Sequence, residues 1–308
     1  MNSFFKYDSQ LIATTLVGIT GPLETVAKNR WSLPDDPASR HSVEAWLNEG
    51  WLTFETEWCV RKEPALRPES EYLRSLLEMN AHLAPSCKIG LGRSGNPVFT
   101  AETRPNDAED VEMLFYVFKD EIKRNREVVL KRTECASDST SQRLIDPEDM
   151  SAVLTPLVQR CDESGWPYER RERSVVLELE ARKDFFQAEL VTEVEGATRI
   201  EFTLPFEPSG SGVCDLATAA LLLRTCHIVR GVRATWKPGE TSSLYCFEAT
   251  WDELPAPSEL KRALVGLSLA ARLCCDELRA LQQDSIANRF LKLQGWSLKQ
   301  HSEIVSTT

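Results

Sequence analysis

The string Gly90-Leu91-Gly92-Arg93-Ser94-Gly95 has the glycine spacing of a dinucleotide-binding turn, in which glycines admit a pyrophosphate to the start of a helix. That chemistry needs a strand before the string and a helix after it. Here Asn96-Pro97-Val98-Phe99 continues as a strand, and Gly95-Asn96 is hairpin chemistry, so a turn between two strands is expected. The four histidines, His41, His82, His227 and His301, lie far apart, with no cysteine or acid at metal-ligand spacing and no nucleophile beside them. A structural role at the ends of equivalent elements is expected for His82 and His227. The nine cysteines follow no disulfide framework. Cys161, Cys214, Cys226 and Cys274 fall on apolar helix faces, where a free thiol serves as a small hydrophobe. No catalytic set, no metal and no cofactor is expected.

Acids and tryptophans on strands are the other candidates. Outward strand positions hold Glu44, Glu55 and Glu57 in the first half, and Glu178, Glu180, Glu189 and Glu201 in the second. Like charges on one sheet face cost a few tenths of a kcal/mol per close pair, roughly, so such a face is either fully solvated or the dock for a basic segment. Paired carboxylates can also serve general acid–base catalysis. Trp46 and Trp51 are expected opposite each other on the same outward face, beside an Asn48-Glu49 turn. They would anchor another surface, or lie under the other half or a terminal segment. The candidate partner-binding set is therefore Trp46, Trp51, Glu44, Glu55, Glu178 and Glu189.

The elements that must position these residues are clearest in the second half. Asp146-Pro147-Glu148-Asp149 is a helix start, and Pro156 should kink that helix or restart it. Val175, Leu177, Leu179 and Ala181 alternate, and a Lys183-Asp184 turn pairs them with Phe186, Ala188, Leu190 and Thr192. Ile200, Phe202, Leu204 and Phe206 keep the same register. A helix carrying Leu216, Ala220, Leu223 and His227 follows, then a hairpin over 232–251 and a long helix with an apolar stripe from Leu260 to Leu281. The first half follows the plan with a helix ending near Trp31 and Val43, Ala45 and Leu47 paired with Leu52 and Phe54. A helix from about Pro68 to Leu83, a hairpin at Arg93-Ser94-Gly95-Asn96 and a long helix from Val111 complete it. One strand is faint and is placed near Trp31-Ser32-Leu33.

The halves also match as strings. Leu16 to Leu23 lines up with Met150 to Leu157, Leu76-Leu77 and His82-Leu83 with Leu221-Leu222 and His227-Ile228, and Phe99 to Thr103 with Cys246 to Thr250. The fold class expected is α+β: two tandem domains, each helix–three strands–helix–two strands–helix, with an antiparallel sheet packed by helices. The domains are 1–134 and 147–283, with a linker over 135–146 and a loosely attached tail over 284–308. A net charge of −11 argues against nucleic acid as a partner. No apolar run reaches the roughly 20 residues of a membrane span, and the N-terminus lacks the pattern of a secretion signal, so a cytoplasmic location is expected.

This element order, with the acidity, resembles the class I type III secretion chaperone superfamily, here as two copies over about 270 residues. The resemblance implies a non-catalytic protein that holds a client polypeptide segment, its two halves forming an internal pseudo-dimer in place of the family's homodimer. The alternatives are an enzyme with a carboxylate-lined cleft between the halves, and a structural subunit of a larger assembly.

Overall fold

The computed structural model describes residues 9–34, 42–58, 70–132, 150–181, 184–192, 196–205, 212–237 and 244–294. Two α+β units follow each other. The first comprises α1 (Ser9–Thr20), β1 (Glu24–Ala27), β2 (Arg30–Ser32), β3 (Val43–Asn48), β4 (Trp51–Glu57), α2 (Ser70–Asn80), β5 (Cys87–Leu91), β6 (Pro97–Thr103) and α3 (Ala108–Arg132). The second comprises α4 (Met150–Ser164), β7 (Tyr168–Arg170), β8 (Val175–Ala181), β9 (Asp184–Thr192), β10 (Thr198–Thr203), α5 (Gly212–Ile228), β11 (Arg233–Lys237), β12 (Leu244–Trp251), α6 (Pro257–Leu281) and α7 (Asp284–Leu293). Each unit forms one antiparallel sheet, ordered β1-β2-β3-β4-β6-β5 and β7-β8-β9-β10-β12-β11, so the two orders are the same.

Four strands, not three, separate the first two helices of each unit. The faint strand near Trp31 is β2, and the unforeseen β1 and β7 carry no buried residue whose alternation could have announced them. Elsewhere apolar alternation set the pairing as expected: Ala45 faces Phe54, Leu47 faces Leu52, Leu177 faces Ala188, and Ile200 faces Leu190. The β3–β4 turn is Glu49-Gly50, one residue later than expected, with both residues at positive φ as a two-residue hairpin of this hand requires. The glycine string forms the β5–β6 turn, where Gly95 has φ +80.

Several expectations need correction. α1 ends at Thr20, well before Trp31, and α4 runs through Pro156 without a break. Pro22 therefore follows a helix while Pro156 lies within one, so that pair of strings is not structurally equivalent. The stretch 284–293 is no loose tail. It is α7, with Ala287 and Leu291 buried and its side packed on α5 and α6. Residues 135–146, read as a linker, lie outside the described residues.

Helices cover the apolar face of each sheet: α3 lays Phe115 and Phe118 on Phe54, with ring centroids 5.6 and 5.7 Å apart, and α6 packs on β8 and β12. The opposite faces meet the other unit. α5 lies on β5, α2 lies on β11, and α2 and α5 pack together between them. Buried Asn80, at the end of α2, ties the edge strands: its Nδ2 donates to Ile89 O (3.0 Å) and Ala234 O (2.8 Å), and its Oδ1 accepts from Ile89 N (2.6 Å). An amide so placed satisfies sheet-edge groups that would otherwise be orphaned inside the protein. No helix among the described residues is long and apolar enough to cross a membrane.

Candidate functional site

Strand register sets one polar row across each sheet. On the first sheet Ser32, Glu44, Glu55, Thr100 and Lys88 stand side by side on β2, β3, β4, β6 and β5. On the second, Glu189, Glu201, Glu248 and Arg233 stand on the corresponding β9, β10, β12 and β11. Glu44 thus corresponds to Glu189, Glu55 to Glu201, and Lys88 to Arg233. The expected solvated face is in large part the seam between units, because α5 and the turn after it cover the first row and the turn after α2 covers the second.

In the first half of the seam, Glu102 accepts from Lys88 Nζ (2.6 Å), Arg230 (2.9 Å) and the Gly231 amide (2.6 Å). Lys88 also donates to Val229 O at 2.6 Å, and Arg230 to Thr53 Oγ1 at 2.9 Å. Burial pushes the Glu102 carboxyl upward, but the Lys88 and Arg230 charges and these bonds outweigh it, and the group is held below the usual range. The reciprocal contact places Arg233 against Glu248 (3.0 Å), with its guanidinium donating to Leu83 O (2.7 Å) of the first unit. Lys237 reaches both Glu248, at 3.2 Å, and Glu201, and Arg199 bonds Glu201 at 2.6 Å. Burial raises Glu201 too, yet Lys237 and then Arg199 bring it down. Arg74 of α2 adds a cross-unit pair with Asp215, at 3.2 Å, and lies over the Trp236 ring.

Beside the first cluster the seam opens into a cleft of about 750 Å³, lined by the β1–β2 turn, β3, β4, the β5–β6 turn and His227. The matching hollow on the second sheet, lined by His82, is about 220 Å³. Each histidine therefore stands on the other unit's sheet. The α5 backbone can approach because β5 carries Gly90: a Cβ there would come within 2.7 Å of His227 Cβ. His227 Nδ1 lies 3.6 Å from Glu55 Oε2, and neither atom has a hydrogen-bond partner among the described residues. Burial, with Glu44 adding repulsion, pushes Glu55 up to about 7. Burial, with Lys88 and Arg230 repelling a proton, brings His227 down to about 4.

The structure divides the six candidate partner-binding residues. Glu44, Trp46 and Glu55 come together in the larger cleft, with Glu44 paired to Arg30 and the Arg30 guanidinium 5.7 Å over the Trp46 ring. Trp51 shares their sheet face but lies diagonal to Trp46, since Trp46 pairs with Thr53 and Trp51 with Asn48. It is half-buried: Gly231 of the second unit lies at its ring edge and Arg104 of its own unit lies over it. The other half provides part of that cover, through Gly231. Glu178 and Glu189 stay exposed on the second sheet, outside both hollows, with Ser174 donating to Glu189.

Sequence reasoning missed Lys88, Glu102, Asn80, Arg230, Arg233 and Glu248. A signal was present in Cys87-Lys88-Ile89-Gly90-Leu91, a strand buried at every position. A strand without alternation is covered on both faces, and a charge inside it needs a buried partner.

Chemically, the paired clusters can hold the units together, while the cleft offers a carboxyl that changes charge near neutrality beside an uncharged imidazole. The seven cysteines among the described residues are buried, and burial pushes the Cys87, Cys246 and Cys274 thiols up to about 12, away from nucleophilic use. No group of three metal-ligating side chains occurs among the described residues. Compared with known proteins, the chain matches no family, no curated sequence and no solved structure.

Proposed function

We propose that this chain is a non-catalytic, chaperone-like protein that holds an extended client segment, its two units forming a pseudo-dimer within one polypeptide. The observation that carries the reading is the reciprocal seam. Each unit lays the end of its middle helix on the other's sheet, with Lys88–Glu102 answering Arg233–Glu248. That is how an isologous dimer would be built from two chains. The larger cleft, about 750 Å³ with Trp46 on its wall, has room for a short segment of polypeptide.

Two measurements test this. Sedimentation should give a single 34.8 kDa species at all concentrations, because the seam that a homodimer would use is already filled. A permanently unfolded, alkylated protein should bind, and Trp46→Ala should weaken that binding. Failure of the intact chain to bind any unfolded polypeptide would overturn the reading. One observation favours an enzyme instead, namely Glu55 titrating near 7 in an open cleft. Its weakness is the second acid, since Glu44 is committed to Arg30.

A further inference from the structure

The base of the larger cleft holds two polar atoms with nothing to bond, Glu55 Oε2 and His227 Nδ1, 3.6 Å apart and each shielded from solvent. Leaving such an atom unsatisfied costs roughly 1–3 kcal/mol. Both residues line the cleft that an occupant would enter.

The surroundings select the occupant's charge. From the seam, Lys88 and Arg230 face the pair with only Glu102 between them as counter-charge, and Arg93 stands on the β5–β6 turn. A cation entering here meets that excess. From the sheet, Glu44 stands beside Glu55 with Arg30 already bound to it, and Glu57 lies further along β4. An anion must approach Glu44 and Glu57 against the pull of Lys88, Arg230 and Arg93, and the glutamate peptide below measures which prevails. Lys28, on the rim, is exposed and weakly coupled. A neutral group carrying one donor and one acceptor meets neither obstacle. With the imidazole proton on Nε2, the uncharged carboxyl donates to the carboxamide oxygen and Nδ1 accepts from the carboxamide NH2.

We propose that the Glu55–His227 floor is a subsite for one carboxamide, the side chain of a glutamine or asparagine carried by the bound segment. This rests on the polypeptide-holding reading above. It adds a linkage to protons. Near pH 6 both groups are neutral, given values of about 7 and about 4. Above 7, Glu55 becomes an acceptor only and loses its bond to the carboxamide oxygen.

The test uses the whole chain and short, capped peptides of alternating serine and valine, with a central glutamine, leucine, lysine or glutamate. At about pH 6 the glutamine peptide should bind roughly tenfold tighter than the others, one well-made hydrogen bond's worth. At about pH 8 that preference should shrink to within about twofold, by loss of the same bond. Glu55→Gln supplies a permanent donor and acceptor, so this variant should keep the preference at both pH values. His227→Phe should abolish it at both. Peptides that bind with no preference for glutamine, or with a preference that ignores pH in the unsubstituted chain, overturn the subsite and leave the client-holding reading standing. Peptides that fail to bind at all, together with an unfolded protein that also fails, overturn both.

Discussion

The two sheet faces share a register and differ most in the cations around the central acid of each row. Around Glu201 the second sheet places Arg199 two positions earlier on the same strand and Lys237 at the end of β11. The corresponding positions on the first sheet, by the pairing of Ile89 with Phe99 and of Ala234 with Phe247, are Thr53 and Gly92. Glu201 is consequently held low, and Glu55 is lifted to about 7. The hollow is also smaller where the long cations fill it, about 220 against 750 Å³. One backbone arrangement thus yields a closed electrostatic staple on one side and an open, proton-poised cleft on the other. Function is expected where the pairing is missing.

The largest effect expected from breaking the comparison lies at Glu102. Its side chain is 3% exposed, and its removal strands Lys88, 4% exposed, together with Arg230. Glu102→Ala should cost about 3–5 kcal/mol in denaturant unfolding. Glu201→Ala should cost about 1 kcal/mol, because that acid is partly solvated and Glu248 remains to compensate Lys237. Equal losses at the two positions would show that the two cross-unit clusters are energetically alike, against the difference in burial between Glu102 and Glu201. Next in size is Asn80→Ala. It orphans Ile89 N, Ile89 O and Ala234 O at once, and a loss of about 3 kcal/mol is expected.

Glu55 gives a smaller effect with a distinctive sign. Its carboxyl goes from 4.5 unfolded to about 7 folded, so the fold holds the extra proton, and stability falls as pH rises through that window. His227 goes from 6.5 to about 4, so its contribution falls as pH drops from 6.5 toward 4. Between about 4.5 and 6.5 the two slopes cancel, since folding in effect moves one proton from the imidazole to the carboxyl. Glu55→Gln removes only the first term. The variant should be more stable than the parent at about pH 8, by about 1–2 kcal/mol after allowing for partial exposure, and unchanged near pH 4. Glu201→Gln, at an acid whose folded value is depressed, should destabilise at neutral pH. Thermal melts across pH read both; a Glu55→Gln curve parallel to the parent's would contradict the raised value.

What was legible in the sequence follows from which face of a strand carries information. Val175, Leu177 and Leu179 fixed the second sheet's register because one-residue slippage would expose all three. The same logic assigned Glu44, Glu55 and Glu189 to the opposite face, which is where they stand. It could not say that the face was covered, because polar residues at alternate positions read the same in water or in a seam. Glu248, on the same face, is 1% exposed. β1 and β7 stayed hidden for the opposite reason: with no residue buried, they are strands only because β2 and β8 offer free edges. Trp46 and Trp51 are alike by pattern and both half-buried, and the contacts of Gly231 and Arg104 set Trp51 apart from the wall of the cleft.

The smallest expected effect is the sharpest test of why the faces differ. If Gly92 is where the first sheet lacks its Lys237, then Gly92→Lys should restore the missing cation. The backbone there is not left-handed, and an added Cβ meets Val98 Cγ1 at 3.2 Å, a tight contact that a modest shift of the valine relieves. The ammonium should approach Glu55 from the β5–β6 turn and lower its value by about one unit, as an opposite charge within a few ångströms does. Gly92→Gln, with similar bulk and no charge, serves as the control for packing. Carbon-13 titration of the Glu55 carboxyl reads the value directly. A Gly92→Lys chain whose Glu55 still titrates near 7 while Gly92→Gln folds normally would mean that desolvation alone sets the carboxyl, and that the missing cation is not what opened the cleft.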